Sequence, residues 1–128
     1  MNRTVNGTVQ DGLGQGRSFT QLDWVRQQLR DKVGFDPFPG TLNARVGDVS
    51  TLTEWQTYRG ITIEPVPGFC AARCYRVLMN ESIAVAWILP DVPGYPKDLM
   101  ELTAPMSLRQ ALTLKTGDVV SIRFLESE

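Results

Sequence analysis

The chain has 128 residues, 42% of them hydrophobic, with 13 basic and 14 acidic side chains and a net charge of −1. That length suits one domain spanning residues 1–128 with a real core, and no stretch approaches the roughly 20 apolar residues of a membrane span. The charge balance and a pI near 5.4 leave no positive field for DNA or RNA, and the absence of histidine removes the commonest general base and with it the usual serine and cysteine hydrolase triads.

The N-terminus, Met1-Asn2-Arg3-Thr4-Val5-Asn6, lacks the apolar core of a signal peptide, so a cytoplasmic protein is expected. Thr4 to Val9 alternates polar and branched residues and predicts a first strand. It runs into Asp11-Gly12-Leu13-Gly14-Gln15-Gly16-Arg17, where glycines let the backbone turn its amides toward an anion and Arg17 adds a fixed positive fork. From Thr20 as N-cap, Leu22, Val25, Leu29 and Val33 fall at helical steps, predicting an amphipathic helix that ends near Gly34. The stiff segment Gly34-Phe35-Asp36-Pro37-Phe38-Pro39-Gly40 then delivers Thr41 to Val46 as a strand. Thr41 and Asn43 face alike on it, two neutral oxygens suited to Mg²⁺ beside nucleotide phosphates.

After a polar stretch with Trp55 and Tyr58, Gly60 to Val66 alternates again. Cys74 to Met79 pairs with Ser82 to Leu89 through a turn at Asn80-Glu81. Pro90-Asp91-Val92-Pro93-Gly94-Tyr95-Pro96 reads as a rigid loop packed over something. Leu99 to Thr103 is a strand, Pro105 opens a short helix through Leu112, and Gly117-Asp118 turns into a last strand, Val119 to Leu125. Six to eight short strands with about two helices favour a mainly β fold, a closed or nearly closed barrel. Cys70 and Cys74 lack the partners a zinc site needs and are expected as two partly buried thiols.

A glycine-rich turn alone is weak evidence, and this one lacks the lysine and hydroxyl tail of a P-loop. A third segment, Glu101-Leu102-Thr103-Ala104-Pro105-Met106-Ser107-Leu108-Arg109, hands a strand over to a helix whose first amides, with Arg109 one turn on, suit an anion. Three such loops in one small chain point to phosphoryl transfer.

In the order and spacing of these motifs the chain resembles the archaeal CTP-dependent riboflavin kinases, from Val5 to Phe124. The resemblance rests on Gly12 to Arg17, on Gly34 to Asn43, on Glu101 to Arg109 and on Gly117-Asp118-Val119-Val120. It implies a six-stranded cradle-loop barrel, CTP and riboflavin as substrates, FMN and CDP as products, and Mg²⁺. Carried over residue by residue, it places the nucleotide against Leu13, Gly14, Gln15, Gly16, Arg17 and Ser18 on one side and Met106, Ser107, Leu108 and Arg109 on the other. Thr41 and Asn43 match metal ligands, Glu101 matches a flavin-contacting carboxylate, and Asn43 and Glu101 are the expected catalytic pair. Where relatives carry a flavin-contacting threonine this chain has Pro93-Gly94-Tyr95, and Gly94 and Tyr95 are assigned to the flavin. Of the aromatic residues that can stack on the ring, Phe35, Phe38, Trp87 and Tyr95, the favoured two are Phe38 and Tyr95.

A monomer acting on small molecules, with no nucleic-acid or membrane partner, is expected. The alternatives are a CTP-dependent kinase of another small alcohol and a non-catalytic module that senses a nucleotide or flavin. A DNA-binding barrel of swapped-hairpin type fits poorly with the acidic pI.

Overall fold

A computed structural model of the chain describes residues 3–12 and 19–125. Its strands are β1 (Thr4–Gln10), β2 (Leu42–Val46), β3 (Ile61–Ile63), β4 (Ala72–Met79), β5 (Ile83–Pro90), β6 (Leu99–Thr103) and β7 (Val119–Phe124). All pair antiparallel, in the order β4-β5-β6-β2-β1-β7, and β7 returns to β4 through Val77 to Met79, closing a six-stranded barrel. The seventh strand, β3, lies outside the ring on the first residues of β4. Among the described strands, the one left at an edge is the three-residue β3.

The barrel core takes alternate residues of its strands, and β1 and β2 each turn a small or branched row inward. On β1 this row is Val5, Gly7 and Val9, and on β2 it is Leu42, Ala44 and Val46. At Gly7 a Cβ would stand 3.0 Å from the Ala44 Cβ, so this position takes glycine for close strand approach. Trp55, Tyr75, Trp87 and Phe124 fill one end of the interior, with the Trp55 and Phe124 rings stacked at 5.0 Å. The β4–β5 hairpin is joined by Asn80, Glu81 and Ser82, between the paired Met79 and Ile83; Asn80 and Glu81 take φ of 51° and 54°, and the Ser82 amide donates to the Met79 carbonyl.

Helix α1 (Asp23–Gln28) continues as a π turn, Leu29–Val33, and stops at Gly34, whose φ of 103° caps it. Its apolar stripe, Val25, Leu29 and Val33, packs on the outer face of the sheet against Ile63, Ala72, Cys74, Ala86 and Ile88. Covered inside and out, β5 therefore buries the run Val85 to Ile88 without alternation. The residue before α1 is Leu22, in extended conformation, and not Thr20. Thr20 is fully buried, and its hydroxyl accepts from the Gly40 amide, so it anchors the incoming loop of β2.

A helix absent from the predicted elements, α2 (Val49–Trp55), carries Leu52 and Trp55 into the barrel core. It is held by its cap: Asp48 accepts from the Thr51 amide at 3.1 Å and the Thr51 hydroxyl at 2.6 Å. Replacing Asp48 with alanine is expected to lower stability by about 1 kcal/mol, read as a fall of a few degrees in the melting temperature with the barrel's circular dichroism intact. The last helix, α3, is the short Leu108–Ala111, capped by Ser107 rather than opened by Pro105. The described residues thus hold more helices than the two or so expected. Among them none is long and apolar enough to cross a membrane. Of the two thiols, Cys74 is buried and Cys70 exposed, so the expectation of two partly buried thiols holds for neither. Burial pushes the Cys74 thiol up to about 12, which makes it inert at neutral pH.

Candidate active site

The inward rows of β2 and β6 leave their alternate residues facing out, and the two strands are in register with Asn43 opposite Glu101. Thr41 enters the same face from the turn before β2. Its hydroxyl lies 3.2 Å from Glu101 Oε1 and 3.3 Å from Asn43 Oδ1, and it donates to one of them at a time. On the other side of the carboxylate, the Tyr95 hydroxyl donates to Glu101 Oε2 at 2.5 Å. Asn43 is buried, with 8% exposure, while Thr41, Tyr95 and Glu101 are half-buried at the bottom of open depressions. Farther along the face, Arg45 donates to Gln10 Oε1 and pairs with Asp98, tying β2 to β1 and to the loop before β6.

Two depressions meet at Thr41. The first, of about 130 Å³, is walled by Phe38 to Leu42 and by Leu102 to Arg109 without Pro105. The second, of about 180 Å³, is walled by Phe19, Ile88, Pro90, Val92, Tyr95 and Glu101. Polar surface dominates the first and apolar surface the second, so a charged ligand suits one and a flat apolar ring the other. Thr41 is the residue common to both walls.

Met106, Ser107, Leu108 and Arg109 all line the first depression. Arg109 reaches across to β1, where Nη2 donates to the Gln10 carbonyl at 3.2 Å and lies 3.6 Å from Asp11 Oδ1. Thr116 donates to the same Asp11 oxygen at 2.7 Å. These bonds bring α3 to the place where the glycine-rich segment leaves β1. Leu13, Gly14, Gln15, Gly16, Arg17 and Ser18 lie outside the described residues.

Gly94 has a φ of 79° and shapes the turn in which the Tyr95 amide donates to the Val92 carbonyl. Of the four aromatic residues considered for ring stacking, Tyr95 lines the apolar depression and Phe38, 45% exposed, lines the polar one. Trp87 is fully buried inside the barrel and Phe35 packs against the outer cluster under α1, so neither is free to stack. Phe19 and Val92, which line the apolar depression, were not singled out by the sequence. Nor was Thr103, two residues beyond Glu101 on the same face of β6; it lines the polar depression, and its buried hydroxyl has no hydrogen-bond partner. Strand periodicity counted from Glu101 is the signal that finds it.

Among the described residues no group of three or more histidine, cysteine, aspartate or glutamate side chains is arranged to hold a metal. The oxygens available at the junction are Thr41 Oγ1, Asn43 Oδ1 and Glu101 Oε1, a hard set with one charge. Such a set fits Mg²⁺ that arrives with phosphates, since that ion is held by few protein oxygens when substrate supplies the rest.

A family model labelled CTP-dep_RFKase, with the description domain of unknown function DUF120, matches residues 9–124. A riboflavin kinase of Methanocella arvoryzae is 38% identical over 122 residues, which cover 92% of this chain and 55% of the relative. Riboflavin kinases of Archaeoglobus fulgidus and Methanosarcina barkeri are 34% and 35% identical, covering 94% and 93% of this chain and 54% and 55% of theirs. The chain therefore spans about half the length of these curated relatives.

Proposed function

Because this chain belongs to the CTP-dependent riboflavin kinase family, we propose that it transfers the γ-phosphoryl group of CTP to the ribityl 5′-hydroxyl of riboflavin, giving FMN and CDP. The observation that carries this reading is the position of Thr41 on the shared wall of a polar and an apolar depression, with Glu101 beside it. Phosphoryl transfer needs donor and acceptor to meet in line at one point, and most of the barrier is lowered by positioning and charge neutralisation.

In this reading the nucleotide lies on the polar side, between the glycine-rich segment 13–18 and Met106 to Arg109. Arg109, fixed by its bonds to β1, keeps its remaining N–H groups for phosphate oxygens. Flavin enters the apolar side over Ile88, Pro90 and Val92, with Tyr95 in the wall and Gly94 in the turn that carries it. Its ribityl chain then points to Glu101, which orients the 5′-hydroxyl and accepts its proton. Mg²⁺, held by Thr41 and Asn43, would neutralise charge on the phosphate oxygens. A threonine hydroxyl that donates to Glu101 turns its lone pairs toward such a cation, and Asn43 offers its carbonyl oxygen 3.3 Å away. Residues 1–128 would fold as one domain, and the protein would act as a monomer in the cytoplasm.

The reading is tested by incubating the protein with riboflavin, Mg²⁺ and either CTP or ATP, with chromatography for FMN. FMN is expected with CTP and at most a small fraction of it with ATP, because a site that hydrogen-bonds one base strongly rejects another. No FMN with either nucleotide contradicts it.

One observation favours a second reading. Tyr95 stands in the wall of the apolar depression with its hydroxyl on Glu101, and a smaller alcohol would reach that carboxylate past it more easily than a flavin ring. Turnover on a panel of polyols that exceeds turnover on riboflavin would select this alternative. A pure nucleotide or flavin sensor has no use for the grouping of Thr41, Asn43 and Glu101.

A further inference from the structure

Glu101 has two oxygens, and each faces a different donor: Oε1 faces Thr41, and Oε2 receives the Tyr95 hydroxyl. The loop that carries Tyr95 is pinned at both ends. At its start the Asp91 amide donates to the Ala71 carbonyl at 2.9 Å, and at its end the Val46 amide donates to the Asp98 carbonyl at 2.8 Å while Arg45 pairs with the Asp98 side chain. Between them the turn at Gly94 aims the phenol inward. A loop held this way sets the position of one hydroxyl, and that hydroxyl sets the rotation of one carboxylate.

We propose that Tyr95 is a positioning residue for the transfer reaction, holding Glu101 through Oε2 so that Oε1 stays turned to Thr41 and to the incoming acceptor hydroxyl. The inference rests on the reaction proposed above and adds a role that ring stacking does not supply. Burial, together with the neighbouring Glu101, drives the Tyr95 hydroxyl far above the usual phenol range, so it remains a donor at any working pH and does not compete as a base. Arg45 on β2 is the other charge acting on Tyr95, and it is itself paired with Asp98; Thr41 and Asn43 complete the surroundings and do not titrate.

Removing the phenol donor in Tyr95→Phe frees Oε2, so the carboxylate can rotate away from Thr41 and from the acceptor hydroxyl. At neutral pH kcat is expected to fall about tenfold with KM for CTP unchanged, a loss of the size a misplaced catalytic group produces. In a Glu101→Gln background the same Tyr95→Phe change is expected to alter kcat less than about twofold, because the carboxylate it positions is gone. If Tyr95→Phe keeps the wild-type kcat, or lowers it as much in the Glu101→Gln background as in the wild type, the positioning role is wrong. A rise confined to KM for riboflavin assigns Tyr95 to ring contact alone and also overturns it. Absence of FMN from the wild-type enzyme itself removes the transfer reaction, an outcome read separately before any variant is compared.

Discussion

Replacing Asn43 with alanine is expected to cut kcat by about 10²- to 10³-fold while changing the affinity for CTP only a few-fold. The asymmetry arises because Asn43 lies at the junction and away from the depression assigned to the nucleotide: it is opposite Glu101 in the β2–β6 register, and its Oδ1 faces Thr41. A group in that position contributes where charge develops between donor and acceptor, and little to holding the rest of the nucleotide. Asn43 is also buried, so the variant's melting temperature is measured beside its kinetics. Equal losses in kcat and CTP affinity from a folded variant would mean that Asn43 serves nucleotide binding instead.

Glu101→Gln is expected to lower kcat by about 10²- to 10⁴-fold, the range that a general base supplies. Two effects combine. The amide cannot accept the acceptor hydroxyl's proton, and its single oxygen serves only one of the two donors, Thr41 and Tyr95, so the other faces an NH₂ group. The second effect also costs about 1–3 kcal/mol of stability, because a half-buried hydroxyl loses its partner. Glu101→Asp separates the two, since it keeps the charge and shortens the reach; activity that recovers with Asp but not Gln assigns the loss to charge. Activity within a few-fold of wild type in Glu101→Gln would show that the acceptor needs no base at this position.

The hairpin at Asn80-Glu81 was legible because its signal is local: an asparagine, which tolerates positive φ, and a charged residue set between two runs of strand-forming residues. The strand Leu99–Thr103 was legible for the same reason. Helix α2 was not. Val49-Ser50-Thr51-Leu52-Thr53-Glu54-Trp55 is rich in branched and hydroxyl residues, which are poor helix formers, and only Leu52 and Trp55 mark a buried face. Its stability comes from the Asp48 cap and from seating Trp55 in the barrel, and the second of these depends on strands far away in the chain. Closure of the ring by β4 against β7 is likewise a non-local pairing that no window of sequence reports.

The site divides in the same way. Thr41 and Asn43 were found by strand periodicity alone, as two oxygens on one face. That Glu101 would lie directly across from Asn43 follows from the β2–β6 register, which composition does not encode; the resemblance to known kinases named both residues without their pairing. Tyr95 was picked out as an aromatic surface; its hydrogen bond to Glu101 became visible only when the loop from Asp91 to Asp98 was seen pinned at both ends. Thr103 escaped because a threonine in an apolar strand reads as a β-branched filler, and the missing partner of its hydroxyl is a property of the folded chain.

The most direct check is a crystal structure of the protein grown with Mg²⁺, CDP and FMN. The terminal phosphate of CDP is expected on the polar side and the FMN phosphate on the apolar side, both within hydrogen-bonding reach of the groups around Thr41. FMN seated instead in the wide surface groove of about 620 Å³ that runs past Arg73 and Lys97 on the far side of Tyr95, with its phosphate away from Thr41 and Glu101, would contradict the junction as the place of transfer.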